Sequence, residues 1–212
     1  MDLSRPVTTV TPTMDAPVLA ILARTTKPLT GRQIHLLAAS GSESGTRRVL
    51  RRLSTTGLVT ATEVGPSTQY LLNREHLAAD AVIELVDLRG KLIDRMRETI
   101  DHDWTEKPLT ASLFGSVARG DGGMGSDIDL LVVRPVDEIH PHWEQQVGSL
   151  SEWVHRWTGN HLQVYDVSRA ELLAHFAADE PIVNDWLRDC ITVYGQDFRQ
   201  LRNRLMRRGT EQ

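Results

Sequence analysis

The sequence predicts a protein of two units, in which helices and a β-hairpin precede an α/β unit with a mixed sheet and packed helices. One observation is the order of the patterns, since helical periodicity dominates the first part and strands alternate with helices later. A second observation is the charge. Residues 1–78 carry nine Lys and Arg against five Asp and Glu, and residues 79–212 carry fifteen against twenty-three. A basic first part and an acidic remainder indicate two units with different partners.

The composition places the chain among ordinary globular proteins, with 40% hydrophobic and 25% charged residues. The single cysteine, Cys190, excludes an intramolecular disulfide and a cysteine-based zinc site, and it is typical of the reducing cytoplasm. Because no apolar run is long enough for a membrane span, we expect a cytoplasmic protein without a membrane partner. Residues 1–13 lack the apolar core of a secretion signal and are predicted to form a disordered tail.

Residues 14–78 read as three helices and a hairpin. The helices are predicted over residues 16–23, 30–39 and 44–56. Thr30 and Gln33 fit a capping box at the start of the second helix, and Gly57 ends the third. Two strands, 58–62 and 68–72, surround Gly65-Pro66. This order resembles a winged helix-turn-helix.

The third helix separates an apolar side from a basic side. At about 100° per residue, its four arginines fall within an arc of roughly 140°, opposite Val49, Leu50 and Leu53. A recognition helix needs such a division, and hydroxyls near its start can contact phosphates. The residues predicted to bind duplex DNA are Ser44, Thr46, Arg47, Arg48, Arg51 and Arg52. The alternative is a solvated basic helix in a module that contacts only proteins.

Residues 79–102 have the apolar period of one long helix, strained near Gly90. Such a helix could connect the two units, build the seam of a homodimer, or pack on the rear unit. The sequence leaves these three alternatives open.

The rear unit, residues 103–212, contains the most informative pattern in the chain. An apolar segment turns through Gly115-Ser116, and a second apolar segment then begins with Ser126-Asp127-Ile128-Asp129. In a strand, Asp127 and Asp129 point to the same face. Two adjacent carboxylates are unfavourable unless a cation neutralises them, and hard oxygen ligands favour Mg²⁺ or Mn²⁺. The Gly-Ser turn can approach a phosphate closely.

This motif resembles that of the nucleotidyltransferase superfamily related to DNA polymerase beta, in its minimal nucleotidyltransferase and kanamycin nucleotidyltransferase branches. The residues that carry the resemblance are G-S-x-A-R-G at 115–120 and S-D-I-D-L at 126–130, within a matching region of roughly 108–167. The resemblance implies an α/β nucleotidyltransferase core that transfers a nucleoside monophosphate from a nucleoside triphosphate. It implies that Asp127 and Asp129 hold the metals, with phosphate contacts from Gly115, Ser116, Arg119 and Ser126.

The rest of the rear unit continues the alternation of helices and strands. A helical stripe runs from Trp143 to Trp157 and ends before Gly159, with its tryptophans predicted to lie in the core. The later elements are a strand at 162–167, helices at 171–178 and 182–189, a strand at 191–194 and a helix at 197–208.

The third carboxylate usual in the family is the point at which this sequence departs from the pattern. Gln163 occupies the expected position, and an amide can ligate a metal but cannot act as a general base. Asp166 is the nearest carboxylate and is the third candidate catalytic residue. Three positions from Gln163, it should face the opposite side of the strand unless a bulge turns it inward.

Three functions remain open at this stage. The first is an Mg²⁺-dependent nucleotidyltransferase acting on a protein side chain, an RNA end or a small-molecule hydroxyl. Its resemblance to minimal nucleotidyltransferases suggests a toxin–antitoxin role. The second is a DNA-binding transcriptional regulator whose degenerate rear unit only senses nucleotide, which Gln163 favours. The third is an interaction scaffold in which the aspartates are relics.

Overall fold

The computed structural model describes residues 1–209, and side chains through Arg207. The chain separates into two compact units. Residues 4–89 form the front unit together with Asp2, and residues from Gly90 onward form the rear unit together with Met1 and Leu3. No helix in the described part of the chain is long and apolar enough to cross a membrane.

The front unit contains four α-helices and a small antiparallel sheet. The helices are α1 (Asp15–Arg24), α2 (Gly31–Ala38), α3 (Glu43–Thr55) and α4 (Ala79–Val86). The strands β1 (Leu29–Thr30), β2 (Val59–Val64) and β3 (Ser67–Leu72) lie in the order β1-β3-β2. The predicted capping box is present, because Thr30 and Gln33 bond reciprocally at the start of α2. Ser42 caps α3 and accepts a bond from the Gly45 N–H.

Residues 1–13 are folded in the structure, where the sequence predicted a disordered tail. Pro6–Thr9 form a short 3-10 helix, and Leu3 and Val7 are each only 3% exposed. The prediction of disorder rested on the Thr and Pro content and overlooked these two apolar side chains. Their burial offsets the entropy that is lost when the segment is ordered.

Two helices replace the single connecting helix predicted over 79–102. After α4 the chain breaks at Asp87, and α5 (Leu88–Asp103) follows. Ala79 and Val86 of α4 pack in the front core, whereas Met96 and Ile100 of α5 pack in the rear core. The unit boundary lies between Arg89 and Gly90, so the helical segment is shared between the two units.

The rear unit is built on a mixed four-stranded sheet, as the sequence predicted. Its strands are β4 (Thr110–Phe114), β5 (Ile128–Arg134), β6 (Leu162–Ser168) and β7 (Ile191–Gly195), in the order β6-β5-β4-β7. β5 and β6 are parallel, and the other neighbours are antiparallel. The helices after α5 are α6 (Gly115–Arg119), α7 (Pro141–Thr158), α8 (Arg169–Ala177), α9 (Pro181–Asp189) and α10 (Phe198–Gly209).

Helices cover both faces of this sheet. Leu130 and Val132 of β5 pack in a cluster that includes residues of α5 and α7. Leu131 and Val133 point the other way, into a cluster with residues of α8, α9 and α10. β5 is therefore buried on both faces along most of its length. Asp129 is the only residue of β5 that is not fully buried, so this strand presents a carboxylate near its start.

Candidate active site

The turn from β4 into α6 fits a glycine at position 115 for two reasons. Gly115 has φ +69°, which disfavours any side chain. A Cβ atom at this position would also lie only 2.4 Å from Oδ2 of Asp129. Phe114 and Asp129 are register partners on β4 and β5. The backbone of this turn thus packs closely against the Asp129 carboxylate.

Asp127 and Asp129 lie near enough for their charges to interact. Asp129 is half-buried and Asp127 is exposed. Burial raises the pKa of Asp129, the negative charge of Asp127 raises it further, and the positive charge of Arg119 opposes both effects. The structure therefore brings the two predicted metal ligands close enough to repel each other. A divalent cation would relieve this repulsion, so the pair fits the hard metal ion that the sequence predicts.

The loop after α6 wraps closely around Ser116. The backbone N–H groups of Gly120, Asp121 and Gly122 all donate to the Ser116 carbonyl oxygen, at 3.0, 3.0 and 3.1 Å. A Cβ atom on Gly122 would lie 2.9 Å from Cγ2 of Val117 and 3.3 Å from the Ser116 hydroxyl. Among the described residues, that hydroxyl makes no hydrogen bond, so it is available to a ligand.

Arg119 is held in place by carboxylates of its own unit. Its guanidinium donates to Oδ2 of Asp189 at 2.6 Å and contacts Asp121 at 3.3 Å. The Asp189 side chain is 2% exposed. A hydrogen bond from Arg188 is the main cause that lowers the pKa of Asp189, and Arg119 adds to it. Arg119 is thus a fixed cation whose field reaches Asp129, and sequence reasoning missed its anchor, Asp189.

Ser126 is anchored by a residue that sequence reasoning also missed. Asn160 is 3% exposed and donates from Nδ2 to the Ser126 carbonyl oxygen at 2.9 Å. Two residues later, the Ile128 N–H donates to the His161 carbonyl oxygen at 2.8 Å. These two bonds clamp the segment that presents Asp127 onto the connection between α7 and β6. The only sequence signal was a polar residue directly after the Gly159 helix cap.

The structure places Gln163 beside the pair and Asp166 away from it. Gln163 is exposed and is the register partner of Asp129, whereas Asp166 is the partner of Val132. The register between β5 and β6 is continuous, so no bulge turns Asp166 inward. The Asp166 carboxylate instead accepts a bond from the Trp143 indole at 2.8 Å and pairs with buried Arg134 at 3.0 Å. The structure does not bring the third catalytic candidate to the site.

Residues 93–174 match the family model of the nucleotidyltransferase domain. This match supports the superfamily suggested by the motif and a transferase-type enzyme, which in general moves a nucleoside monophosphate. The matched segment extends from α5 into α8 and contains the Gly-Ser turn, the carboxylate pair and Gln163. The comparison with curated proteins found no match.

The predicted DNA-binding residues of α3 fall into two groups in the structure. Arg48 and Arg51 are exposed and make no ion pair among the described residues, whereas Arg47 pairs with Glu43 at 2.5 Å. Arg52 pairs with Asp15 at the start of α1. Two of the four arginines are therefore free of an acidic partner in the front unit.

The hydroxyl residues of α3 differ in the same way. Ser44 is exposed, and its hydroxyl lies 3.0 Å from that of Ser42. Thr46 is fully buried, and its hydroxyl contacts the His35 ring and the Ser42 carbonyl oxygen, each at 3.3 Å. The phosphate contact predicted for Thr46 conflicts with this burial, because its side chain faces α2.

A basic groove lies between α3 and the β2–β3 hairpin. Its volume is about 780 Å³, and its lining includes Arg32, Arg47, Arg51, Ser67 and Thr68. Arg32, at the start of α2, was not foreseen from the sequence. Hydroxyls and guanidinium groups in one groove are the groups that contact nucleic-acid phosphates.

Proposed function

We propose that this protein transfers a nucleoside monophosphate from a nucleoside triphosphate, with Mg²⁺ or Mn²⁺, to an acceptor hydroxyl. The observation that carries the proposal is the Asp129 carboxylate, seated against the Gly115 turn and beside Asp127. Nucleotidyltransferase domains in general use a nucleoside triphosphate and divalent metal. No cluster of three His, Cys, Asp or Glu that could hold a metal occurs in the described part of the chain. The ligands would be Asp127 and Asp129, with the exposed Gln163 amide oxygen and the triphosphate as further donors.

Each residue near the pair has a role in this proposal. The metal, when bound, would neutralise the charge that develops on the phosphates. The Ser116 hydroxyl donates to a distal phosphate. The absence of side chains at Gly115 and Gly122 lets the turn lie against Asp129 and Val117 and so places this hydroxyl. Arg119 supplies a fixed positive charge, held by Asp189. Asn160 orients the Ser126–Asp127 segment, which gives Ser126 its supporting role.

The step that this site supports least is removal of the proton from the acceptor hydroxyl. Gln163 stands where a carboxylate would accept it, and an amide cannot do so. Asp166 is engaged with Arg134 and Trp143. We therefore expect firm nucleotide binding and slow transfer. The same observation favours the second candidate, a regulator whose rear unit senses nucleotide without transferring it.

For the acceptor we retain a protein side chain, an RNA end or a small-molecule hydroxyl. A toxin–antitoxin role in the cytoplasm remains part of the proposal through the resemblance to minimal nucleotidyltransferases. The experiment incubates the protein with each labelled triphosphate, Mg²⁺ and cell lysate. We expect label on one macromolecule or small molecule, and no label with Asp129→Asn or with a chelator. Nucleotide binding in calorimetry without any transfer would instead select the sensor.

For the front unit we propose a winged helix-turn-helix that binds duplex DNA. Three helices, the hairpin, and the basic groove between α3 and that hairpin support this reading. Arg32, Arg48 and Arg51 are the residues we expect to contact phosphates or base edges. Gel-shift titrations with random-sequence duplex at low salt test it. The absence of any complex there would leave a protein-contact module.

A further inference from the structure

A second groove in the front unit belongs to neither of the surfaces described so far. Its volume is about 530 Å³, within the roughly 300–1,000 Å³ of small-molecule sites. Residues 4–8 form one wall. The other wall is the face of α1 that carries Pro17, Ala20, Ile21 and Arg24. This face has the spacing of a helical stripe, so the groove runs along α1.

The lining of this groove combines an apolar surface with positive charge. Val7, Ile21 and Leu37 are among its apolar residues, and Arg5 and Arg24 are its charged ones. No acidic side chain lines it in the part of the chain that the structure describes. Within that same part, neither guanidinium donates a hydrogen bond or forms an ion pair, although the charge of Arg5 acts on the Asp2 carboxylate. The groove is therefore complementary to an apolar molecule that carries a negative charge.

One end of the groove is the turn between α2 and α3. Ala38, Ala39 and Ser40 line it together with Met14. The Ser40 hydroxyl lies 3.9 Å from the Met14 sulfur. A Cβ atom on Gly41 would collide with that same sulfur. An occupant of the groove therefore touches residues that hold the turn before α3.

A second contact leads from this groove to α3. Asp15 lies between two lining residues, Met14 and Ala16, and pairs with Arg52 of α3. A shift of α1 at the groove would therefore be transmitted to α3, whose exposed arginines are proposed to bind DNA.

We propose that this groove binds a small organic anion with an apolar body, and that binding changes the affinity of the front unit for duplex DNA. The second half rests on the proposed DNA-binding function; the first half does not. The anionic group lies at Arg24, and the apolar body lies along α1. Because coupling between two binding sites is reciprocal, duplex DNA must change the affinity for the anion by the same factor.

Calorimetry with the full chain tests the site. The probes are benzoate, 1-naphthoate and decanoate, each paired with its neutral primary amide. We expect at least one anion to bind, with its amide at least ~10-fold weaker because the amide lacks the charge. Arg24→Gln, on an exposed surface, should remove the difference between anion and amide. Lys27→Gln, which loses the same charge outside the groove, should keep it.

A blocking variant completes the test. Ala20→Phe places a large side chain in the groove and should abolish binding of both anion and amide. Failure of all three anions to bind overturns the proposal. So does anion binding that survives Ala20→Phe with unchanged affinity, or an anion preference that survives Arg24→Gln.

The regulatory half is tested separately with a random-sequence duplex. A saturating anion should change duplex affinity at least ~3-fold in wild type and not in Ala20→Phe, as reciprocal coupling requires. Unchanged duplex affinity overturns coupling. Anion binding in a protein that never binds duplex refutes the proposed DNA function and leaves the groove supported as a ligand site.

Discussion

The single residue Asp129 lies in a site that is unfavourable for a carboxylate in two respects. Its oxygen leaves no space for a side chain at position 115, and its charge lies next to that of Asp127. Neither feature helps the protein to fold. A residue retained at a cost to stability marks a site whose benefit appears only when a ligand binds.

The first prediction concerns the cost of the Asp129 charge. Because its pKa is raised in the folded protein, the ionised carboxylate destabilises the fold at pH 7. As pH falls, the folded protein takes up this proton before the unfolded chain does, and the cost disappears below the ordinary pKa of 3.8. Asp129→Asn should therefore be more stable than wild type at pH 7 without metal. Urea unfolding with chelator, from pH 7 to pH 4, should show the two curves converge; equal stability throughout would contradict it.

The second prediction concerns the missing base. Gln163→Asp should raise single-turnover transfer by about 10²–10⁴-fold, because general-base catalysis is worth that much. Asp166→Asn should leave transfer of the folded enzyme unchanged and instead lower the unfolding free energy by about 1–3 kcal/mol, since buried Arg134 loses a partner. Transfer abolished by Asp166→Asn with triphosphate binding intact would show that Asp166 is the base after all.

The third prediction concerns Asn160, a positioning residue. Asn160→Ala removes the donor to the Ser126 carbonyl and should lower transfer about tenfold, because small misplacements of reacting groups are costly. The matched control is Asn184→Ala, an exposed asparagine of the same unit. A loss in Tm without any change in kcat or in metal–triphosphate affinity would assign Asn160 to stability alone.

Individual elements define where each site can form. β5 is buried on both faces except at Asp129, whose half-buried carboxylate lies near the start of the strand. α3 has buried Val49, Leu50 and Leu53 on one side and arginines on the other. In both elements the apolar pattern fixes the orientation, and the polar residues follow from it.

The fourth prediction ranks the arginines of α3. Arg48→Gln and Arg51→Gln should weaken duplex binding and lower its salt slope by about one each, because each loses a phosphate contact. Arg47→Gln and Arg52→Gln should have smaller effects, since their guanidinium groups already pair with Glu43 and Asp15. Equal losses for all four variants would show that these ion pairs open on binding.

Local features could be predicted from the sequence, whereas contacts between distant residues could not. The Asp127–Asp129 pair, the Thr30–Gln33 capping box and the helices of the front unit follow from local patterns, which the sequence displays directly. The engagement of Asp166 with Arg134 and Trp143 depends on residues distant along the chain, and so does the anchoring of Arg119 by Asp189.

The remaining differences have the same cause. Thr46 is buried because α2 packs against it. Leu3 is buried in the core of the rear unit, and Val7 is buried in the core of the front unit. Periodicity within one segment carries no record of the partner segment. Long-range partners therefore mark the limit of what the sequence alone could predict.

For the whole molecule, the fifth prediction concerns where the chain can be divided. α4 supplies buried Ala79 and Val86 to the front core. A fragment of residues 1–89 should fold and keep the duplex affinity of the full chain, whereas residues 1–78 should be less stable by a few kcal/mol, at ~25 cal/mol per Å² of lost apolar burial. Circular dichroism melts and gel-shift titrations of both fragments measure this. Equal melting temperatures would place α4 outside the front fold.

The close seating of Asp129 on the Gly115 turn also has a consequence for the order of assembly. The Gly115 turn, the Ser116 hydroxyl and Asp129 lie within β4, α6 and β5, and Asp127 directly precedes β5; β4 and β5 are neighbouring antiparallel strands. Such short-range contacts close quickly, whereas β6 joins only after the α7 crossover. During synthesis, the β4–β5 pair can therefore bring the Gly115 turn against Asp129 before Gln163 leaves the ribosome. Among the proposed metal and phosphate ligands, Gln163 is the last in chain order.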